Sequence, residues 1–404
     1  MKISKIELKN FKYFDDLTIE LSKNTNVVLL IGPNGVGKSC IFEAIHNVVR
    51  PGKKGNHDRD KTYFSKDKIN DYSVKIYNEE GKEPVFQYGN NVPIKIYGRT
   101  AYRFTKDITR SNISQDAGQH VKTDRNSPDK FTDLDQRIED DIEAALGVYM
   151  TEVQKRGKKT EDIIDAVIKP INKSLRNIFG KNGIQLVTTL YPFDGKGSAK
   201  IDLLFIKNRT EFLYKNLSAG EKEIFDIIFN FYRRVEYHIS DGIYYIDEPE
   251  LHINTSIQSK LLKELIILCK SFNTQLWIAT HSIGFLREAK KDTNNGVAIL
   301  ELSAKLAKGK KLLKPTKINW QRWQKMLTTP LDDLAFLTLP KKIIYCEGSP
   351  VKKGFDEKIY NIIFGTNYPD TIFISSGGRT QPINNSLLAA KVFSKISANT
   401  ELFI

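Results

Sequence analysis

Gly32-Pro-Asn-Gly-Val-Gly-Lys-Ser39 follows directly on Asn26-Val-Val-Leu-Leu-Ile31, a nearly continuous apolar run. It precedes Cys40, Ile41, Ala44, Ile45, Val48 and Val49, apolar residues at helical spacing. Strand, glycine loop and helix in this order describe a phosphate-binding loop. The apolar run suits a buried parallel strand. The glycines let backbone N–H groups turn inward against phosphates, and the start of the helix adds a favourable dipole. Gly32, Asn34, Gly35, Gly37, Lys38, Ser39 and Cys40 are then expected to line a nucleotide site. Lys38 reaches the β- and γ-phosphates, and the Ser39 hydroxyl binds Mg²⁺, so ATP and Mg²⁺ are the implied cofactors.

Upstream of this loop, Ile3, Ile6 and Leu8 alternate with polar residues, and Leu17-Thr-Ile-Glu-Leu21 alternates again, predicting an antiparallel hairpin. Downstream, residues 51–73 are polar and rich in turn formers, as in an exposed insertion. Strands are expected at Val74–Tyr77 and Val92–Tyr97. Helical periodicity fills 132–180, with Pro170 kinking or starting a helix, and strand patterns return from Ile184 to Ile206. Ser218–Tyr237 is an amphipathic helix with Ile224, Ile227, Ile228 and Phe231 inward, and beyond it helix and strand alternate. The fold class is α/β with parallel strands.

The chain has 404 residues, 40% hydrophobic and 27% charged, enough for one large domain or two to three ordinary ones. No run approaches the roughly 20 apolar residues of a membrane span, and the N-terminus lacks a secretory signal pattern. Cys40, Cys269 and Cys346 are too scattered for a disulfide framework or a zinc site, so a reducing cytoplasm is expected. The net charge of +14 favours contact with a polyanion, a nucleic acid such as DNA, although a solvated lysine-rich surface would give the same balance.

Three further segments carry chemistry. Gly242-Ile-Tyr-Tyr-Ile-Asp247-Glu248 is an apolar strand ending in two carboxylates, at the edge where ligands of parallel sheets collect. There Asp247 suits a metal and Glu248 a base or water-orienting role. Taken alone, such a pair also reads as a loop start or helix cap. Thr280-His281-Ser282 follows the apolar Leu276-Trp-Ile-Ala279, where a histidine is either a γ-phosphate sensor or a capping or packing residue. Asn216-Leu-Ser-Ala-Gly-Glu-Lys222 opens a helix with Ser218 as N-cap and Glu221 completing a capping box.

Together, in this order, the four segments resemble the ABC-type ATPases of the SMC, RecF and OLD group, including OLD-like and PARIS-like anti-phage ATPases. That resemblance implies a P-loop NTPase of ABC-ATPase head type, with Asp247 as the Walker B aspartate, Glu248 as the catalytic glutamate and His281 as the switch histidine. It also implies that Ser218 and Gly220 bind the γ-phosphate of ATP held by a second subunit, so that two heads sandwich two ATPs as a homodimer or higher oligomer. Ile6-Glu-Leu-Lys-Asn-Phe11 resembles the group's first strands. Its glutamine loop has only Gln87 as a candidate. Arg99 and Arg103 are open between nucleotide or DNA contact and a surface or packing role. A helical insertion, about 105–180, is too short for an SMC-length arm.

The expected layout is an ATPase head at 1–300, a linker and helix at 301–340 and a partial TOPRIM-like α/β segment at 341–404. Lys305–Lys317 reads as linker and Trp320–Met326 as helix. Lys342-Ile-Ile-Tyr-Cys-Glu347-Gly348 resembles the first TOPRIM motif. Thr400–Ile404 resembles the later strand, after which the metal-binding aspartates of a complete domain would come, so a truncated or degenerate TOPRIM domain, or a chain that ends early, is expected. The functions implied are a defence ATPase with a nuclease effector, a RecF-like repair ATPase, or an ATP-gated scaffold that holds and releases a protein effector.

Overall fold

The computed structural model describes residues 2–49, 72–83, 96–101, 160–188, 203–232, 242–293, 295–331, 340–346, 354–375 and 401–403. The chain divides into two compact units, Met1–Pro315 and Thr316–Ile404.

In the first unit the N-terminal alternation forms β1 (Ile3–Phe11) and β2 (Phe14–Glu20), antiparallel with Leu8 opposite Leu17. Ile3, Ile6, Leu8, Phe11, Leu17 and Ile19 point into the core, and burying each contributes about 1.5–3 kcal/mol. β3 (Val27–Ile31) is buried at every position and leads through the glycine loop into α1 (Lys38–Val49). β4 (Ser73–Asn78) pairs antiparallel with β1. β5 (Ile96–Arg99) continues two residues beyond the expected end at Tyr97, into Gly98 and Arg99.

α2 (Thr160–Phe179) carries Pro170 in its interior. Then β6 (Gln185–Thr188), β7 (Leu204–Lys207) and β8 (Thr210–Leu213) form an antiparallel sheet. α3 (Ala219–Asn230) buries Ile224, Ile227 and Ile228, with Phe231 just beyond it, all at most 1% exposed, as its periodicity requires. Next come β9 (Ile243–Asp247), α4 (Thr255–Ser271), β10 (Gln275–Ala279), α5 (Ile283–Lys291) and β11 (Val297–Glu301).

The central sheet has the order β11-β3-β10-β9-β5 and every pairing is parallel, as the alternation of helix and strand predicts. Gln275 ties it to the N-terminal sheet. Its side-chain oxygen accepts from the Ile3 N–H at 2.8 Å, and its amide donates to the Ile3 carbonyl at 3.0 Å.

Part of the lysine-rich stretch expected as linker is instead β12 (Lys310–Leu313), which extends the N-terminal sheet to β12-β2-β1-β4. In the second unit, α6 (Trp320–Leu331) agrees with the helix expected there. β13 (Lys342–Cys346), α7 (Phe355–Ile363), β14 (Thr371–Ser375) and β15 (Glu401–Phe403) complete it. These strands make a parallel sheet of order β14-β13-β15. Gln87, Arg103, Glu347, the insertion at 51–71 and the 105–159 part of the helical insertion lie outside the described residues. Among the described residues no helix is long and apolar enough to cross a membrane.

Candidate nucleotide site

The glycine loop joins the C-terminal end of β3 to α1. Gly32 and Gly37 have φ of 149° and 91°, in the half of backbone space that favours glycine. At Gly37 space also forbids a side chain, because a Cβ would stand 2.6 Å from the ring of Phe14. Asn34 and Gly35 are exposed at the tip of the loop, whereas the Cys40 side chain is buried in the core, leaving Cys40 only its backbone to offer a phosphate.

The Lys38 ammonium is buried over this loop and all three of its protons are engaged. It donates to the Gly32 carbonyl at 2.9 Å and the Pro33 carbonyl at 3.0 Å, and lies 2.8 Å from His281 Nε2. For Nε2 to accept, the ring must be neutral with its proton on Nδ1. Burial lowers the His281 pKa, Lys38 lowers it further, and Glu248 opposes both. Burial likewise lowers the Lys38 pKa, against the pull of Asp247, Glu248 and Glu250.

Parallel register brings the remaining groups together. Asp247 ends β9 opposite Ala279, the last residue of β10, so the chain leaving each strand emerges at one place. The Glu248 N–H donates to the Ala279 carbonyl at 2.8 Å, and Thr280 N–H to the Leu30 carbonyl at 3.0 Å. Ser39 Oγ donates to Asp247 Oδ2 at 2.6 Å, which joins the start of α1 to the end of β9. Glu248 Oε1 is 4.0 Å from His281 Nε2. Glu248 and His252 both have positive φ, 49° and 66°. Such left-handed non-glycine residues cost of order 1 kcal/mol and gather at functional loops.

A hydroxyl and a carboxylate in contact form a hard-oxygen pair suited to Mg²⁺, which usually takes one or two protein ligands and completes its shell with water and substrate phosphates. Ser39 and Asp247 therefore fit the expected metal. Lys38, Ser39, Asp247, Glu248 and His281 converge on one place.

Ser218 and Gly220 have a different setting. The Ser218 hydroxyl accepts from the Glu221 N–H at 3.4 Å and donates to Glu221 Oε2 at 2.8 Å, while Glu221 Oε2 also accepts the Ser218 N–H at 3.0 Å, completing the capping box expected from the sequence. Gly220 sits where a Cβ would come within 2.7 Å of the His252 carbonyl, so the start of α3 lies directly on the loop after β9. Among the described residues no hydrogen bond joins Ser218 or Gly220 to the glycine loop.

Of the roles open to Arg99, packing is the one observed. It is 4% exposed and donates to the Asp226 carbonyl at 3.2 Å. Burial opposes its charge, but Tyr244, Tyr97, Glu223 and Asp226 outweigh that and hold its pKa above the ordinary value. Tyr214 donates to Asp226 Oδ1 at 2.8 Å and Tyr97 to Asn230 Oδ1 at 3.2 Å, so β5 and α3 are fastened by a buried polar network. Glu250 stands inside the Asp247–His252 segment, where sequence alone assigns it no role. Its carboxylate accepts from the Thr280 hydroxyl at 2.8 Å and the His281 N–H at 2.7 Å.

Residues 1–51 match a family described as "AAA domain". The DNA replication and repair protein RecF of Clostridium botulinum (strain Loch Maree / Type A3) is 24% identical over 260 residues, 54% of this chain and 70% of that protein. The Septu protein PtuA of Bacillus thuringiensis is 22% identical over 380 residues, 87% of this chain and 89% of that protein. Among solved structures, the SMC head domain from Thermotoga maritima superposes with a TM-score of 0.41 at 15% identity, covering 79% of this chain and 100% of that one. Residues 27–287, more than half of the chain, match the family described as "AAA domain, putative AbiEii toxin, Type IV TA system", and the chain belongs to that family of ATPase domains.

Proposed function

We propose that this chain binds ATP and Mg²⁺, hydrolyses ATP in a nucleotide-sandwich dimer, and serves as sensor or motor of an anti-phage defence assembly with a separate nuclease effector. The observation that carries the ATPase reading is the convergence at one sheet edge of Lys38, the bonded pair Ser39 and Asp247, Glu248 and His281. Lys38 is placed to exchange its present acceptors for phosphate oxygens. Mg²⁺, held by Ser39 and Asp247, supplies charge neutralisation on the phosphates. Glu248 accepts the proton of the attacking water as the bond from the γ-phosphorus to the leaving ADP oxygen breaks. His281 lies between Glu248 and Lys38, where a neutral ring can sense the γ-phosphate by a hydrogen bond.

Dimerisation is supported by the placement of Ser218 and Gly220, which among the described residues share no hydrogen bond with the glycine loop of their own chain and stand at the start of a helix, where backbone N–H groups favour anions. The defence assignment leans on breadth of likeness, since the Septu protein match spans 87% of the chain and the RecF match 54%. The RecF likeness keeps a DNA-repair role as the second reading. The net charge of +14 supports DNA contact in both.

The deciding experiment compares purified wild type with Glu248→Gln in ATP turnover and in mass by light scattering, with and without DNA. Removing the base should slow turnover by roughly 100-fold or more and accumulate an ATP-bound dimer. Unchanged turnover would refute the role of Glu248. DNA affinity that does not weaken with added salt would count against a DNA-directed function.

A further inference from the structure

We propose that Glu250 is a positioning residue of the ATPase site: a single carboxylate oxygen fixes the turn that carries His281 against the loop that carries Glu248. Glu250 Oε1 accepts two hydrogen bonds, from the Thr280 hydroxyl at 2.8 Å and from the His281 N–H at 2.7 Å. Both donors belong to the turn after β10, while Glu250 belongs to the loop after β9. One atom therefore ties together the two segments that must act together in hydrolysis.

The turn is fixed from its other side as well. The Thr280 hydroxyl accepts from the Ser282 N–H at 2.9 Å, and Ser282 Oγ donates to Gln258 Oε1 at 2.6 Å on α4. Gln258 in turn donates to the Ile253 carbonyl at 2.7 Å, at the far end of the loop after β9. Glu250 supplies the link nearest to His281, and through His281 it acts on the 2.8 Å contact with Lys38.

Energetics argue that this carboxylate is present for its acceptor geometry. The second oxygen, Oε2, is buried with no hydrogen-bond partner among the described residues. Burial and, less, the Glu248 charge push the Glu250 pKa up, against the His281 N–H, the Thr280 hydroxyl and its own backbone N–H, which lower it. Burying a carboxyl with one oxygen unpaired costs free energy that an apolar residue would not. A side chain needed only to fill space would be apolar. What Glu250 gives in exchange is a turn held to hydrogen-bond tolerance beside the reacting phosphate, where a displacement of about 1 Å can cost about 100-fold in rate.

The inference rests on the ATPase reading above, and its test separates the two. ATP turnover and ATP affinity are measured for wild type, Glu250→Ala, Glu250→Gln, Thr280→Val and the Glu250→Ala/Thr280→Val double variant, with thermal unfolding as a check on folding. Glu250→Ala should lower kcat by roughly 10- to 100-fold while ATP affinity changes less than about 3-fold. Glu250→Gln keeps an oxygen able to accept both bonds and should stay within about 3-fold of wild type. Thr280→Val should fall in between and, because its hydroxyl also accepts the Ser282 N–H, add clearly less than its single effect in the Glu250→Ala background.

The proposal is overturned if Glu250→Ala turns over like wild type, if ATP affinity falls in proportion to kcat, if Glu250→Gln is as poor as Glu250→Ala, or if the Thr280 effect is fully additive. Should Glu250→Ala fail to fold, the other two single variants decide. Impaired Thr280→Val beside active Glu250→Gln supports the proposal, and any other result overturns it. A wild-type protein without turnover would instead remove the ATPase reading itself.

Discussion

At the C-terminal edge of the five-stranded sheet, β9 stops at Asp247 and β10 at Ala279, residues that face each other in register. At the same edge of the three-stranded sheet, β13 stops at Cys346 and β14 at Ser375, again in register. Both sheets are parallel, so each ends its paired strands at one edge. The first gathers Asp247, Glu248 and His281, with Glu250 fastening the turn. In the second, the Ser375 N–H donates to Glu357 Oε2 at 2.9 Å and the Ser375 hydroxyl accepts from Gly354 N–H at 3.1 Å, so these polar groups are engaged in packing α7 onto β14. Topology creates the place for a site, and the residues just past the strand ends decide whether chemistry occupies it.

The largest effect that could break this contrast is loss of Lys38. Its three charge-assisted contacts are replaced by phosphate oxygens on binding, each worth about 1.5–3 kcal/mol. Lys38→Ala should therefore weaken ATP binding by roughly 100-fold or more in a fluorescent-nucleotide titration. Cys346→Ala, at the edge of the other sheet, should leave affinity unchanged. Undiminished affinity in Lys38→Ala would mean that the glycine loop is misassigned.

A second test addresses whether the edge is complete within one chain. Ser218→Arg places a bulky side chain at the start of α3 and should lower turnover by about 100-fold, as loss of a transition-state anion contact does. Mixed with Lys38→Ala subunits, it should recover activity, because each mixed dimer contains one site with an intact Lys38 and an intact Ser218. If mixing restores nothing, the composite site across subunits is wrong.

How much of this is legible in sequence depends on how local each feature is. The glycine loop, the Ser218 capping box and the ends of β9 and β10 are encoded within a few residues, and the structure places them as expected. β12 reads as linker in sequence because Lys308, Lys310, Lys311 and Lys314 look solvated. It is an edge strand in which Leu313 is buried and Leu312 is 54% exposed, and lysine-rich edges are a common guard against further pairing. Arg99 cannot be assigned from its neighbours in sequence, since its partner Asp226 is 127 positions away. The role of Glu250 depends on the β9–β10 register, which spacing alone does not reveal.

Gly220→Ala gives a smaller effect. The added Cβ meets the His252 carbonyl at 2.7 Å, so either α3 or the loop after β9 must shift. Overpacking of this kind costs about 1–3 kcal/mol, visible as a lower Tm, and it should reduce turnover without abolishing nucleotide binding. An unchanged Tm would show that the contact is easily relieved.

Smaller still is a pH effect at His281. Its folded pKa lies below 6.5, chiefly through burial, so the unfolded chain takes up its proton first as pH falls. The stability contribution is then complete above 6.5 and is lost as pH drops through that value towards the folded pKa. For a half-buried ring the loss should stay below about 1 kcal/mol, measured by urea unfolding at about pH 5.5 and about pH 7.5, and His281→Asn should remove it. A steeper slope in the variant would reverse the assignment.

The last prediction is of no effect, and it tests the second sheet directly. Phosphodiester cleavage by metal ions needs carboxylates clustered on one strand edge. Here Glu401 opens β15 opposite Lys342, the first residue of β13, at the edge away from Cys346, and its carboxylate lies 3.4 Å from Lys342 Nζ. Asp356 and Glu357, which with burial raise the Cys346 pKa, lie in the first turn of α7, and Glu357 already accepts the Ser375 N–H. With Glu401 in an ion pair and Glu357 engaged in packing, we predict that purified chain leaves single- and double-stranded DNA intact in Mg²⁺ or Mn²⁺, with Glu347→Gln indistinguishable from wild type. Robust cleavage that Glu347→Gln abolishes would show that the second sheet, like the first, gathers a catalytic edge.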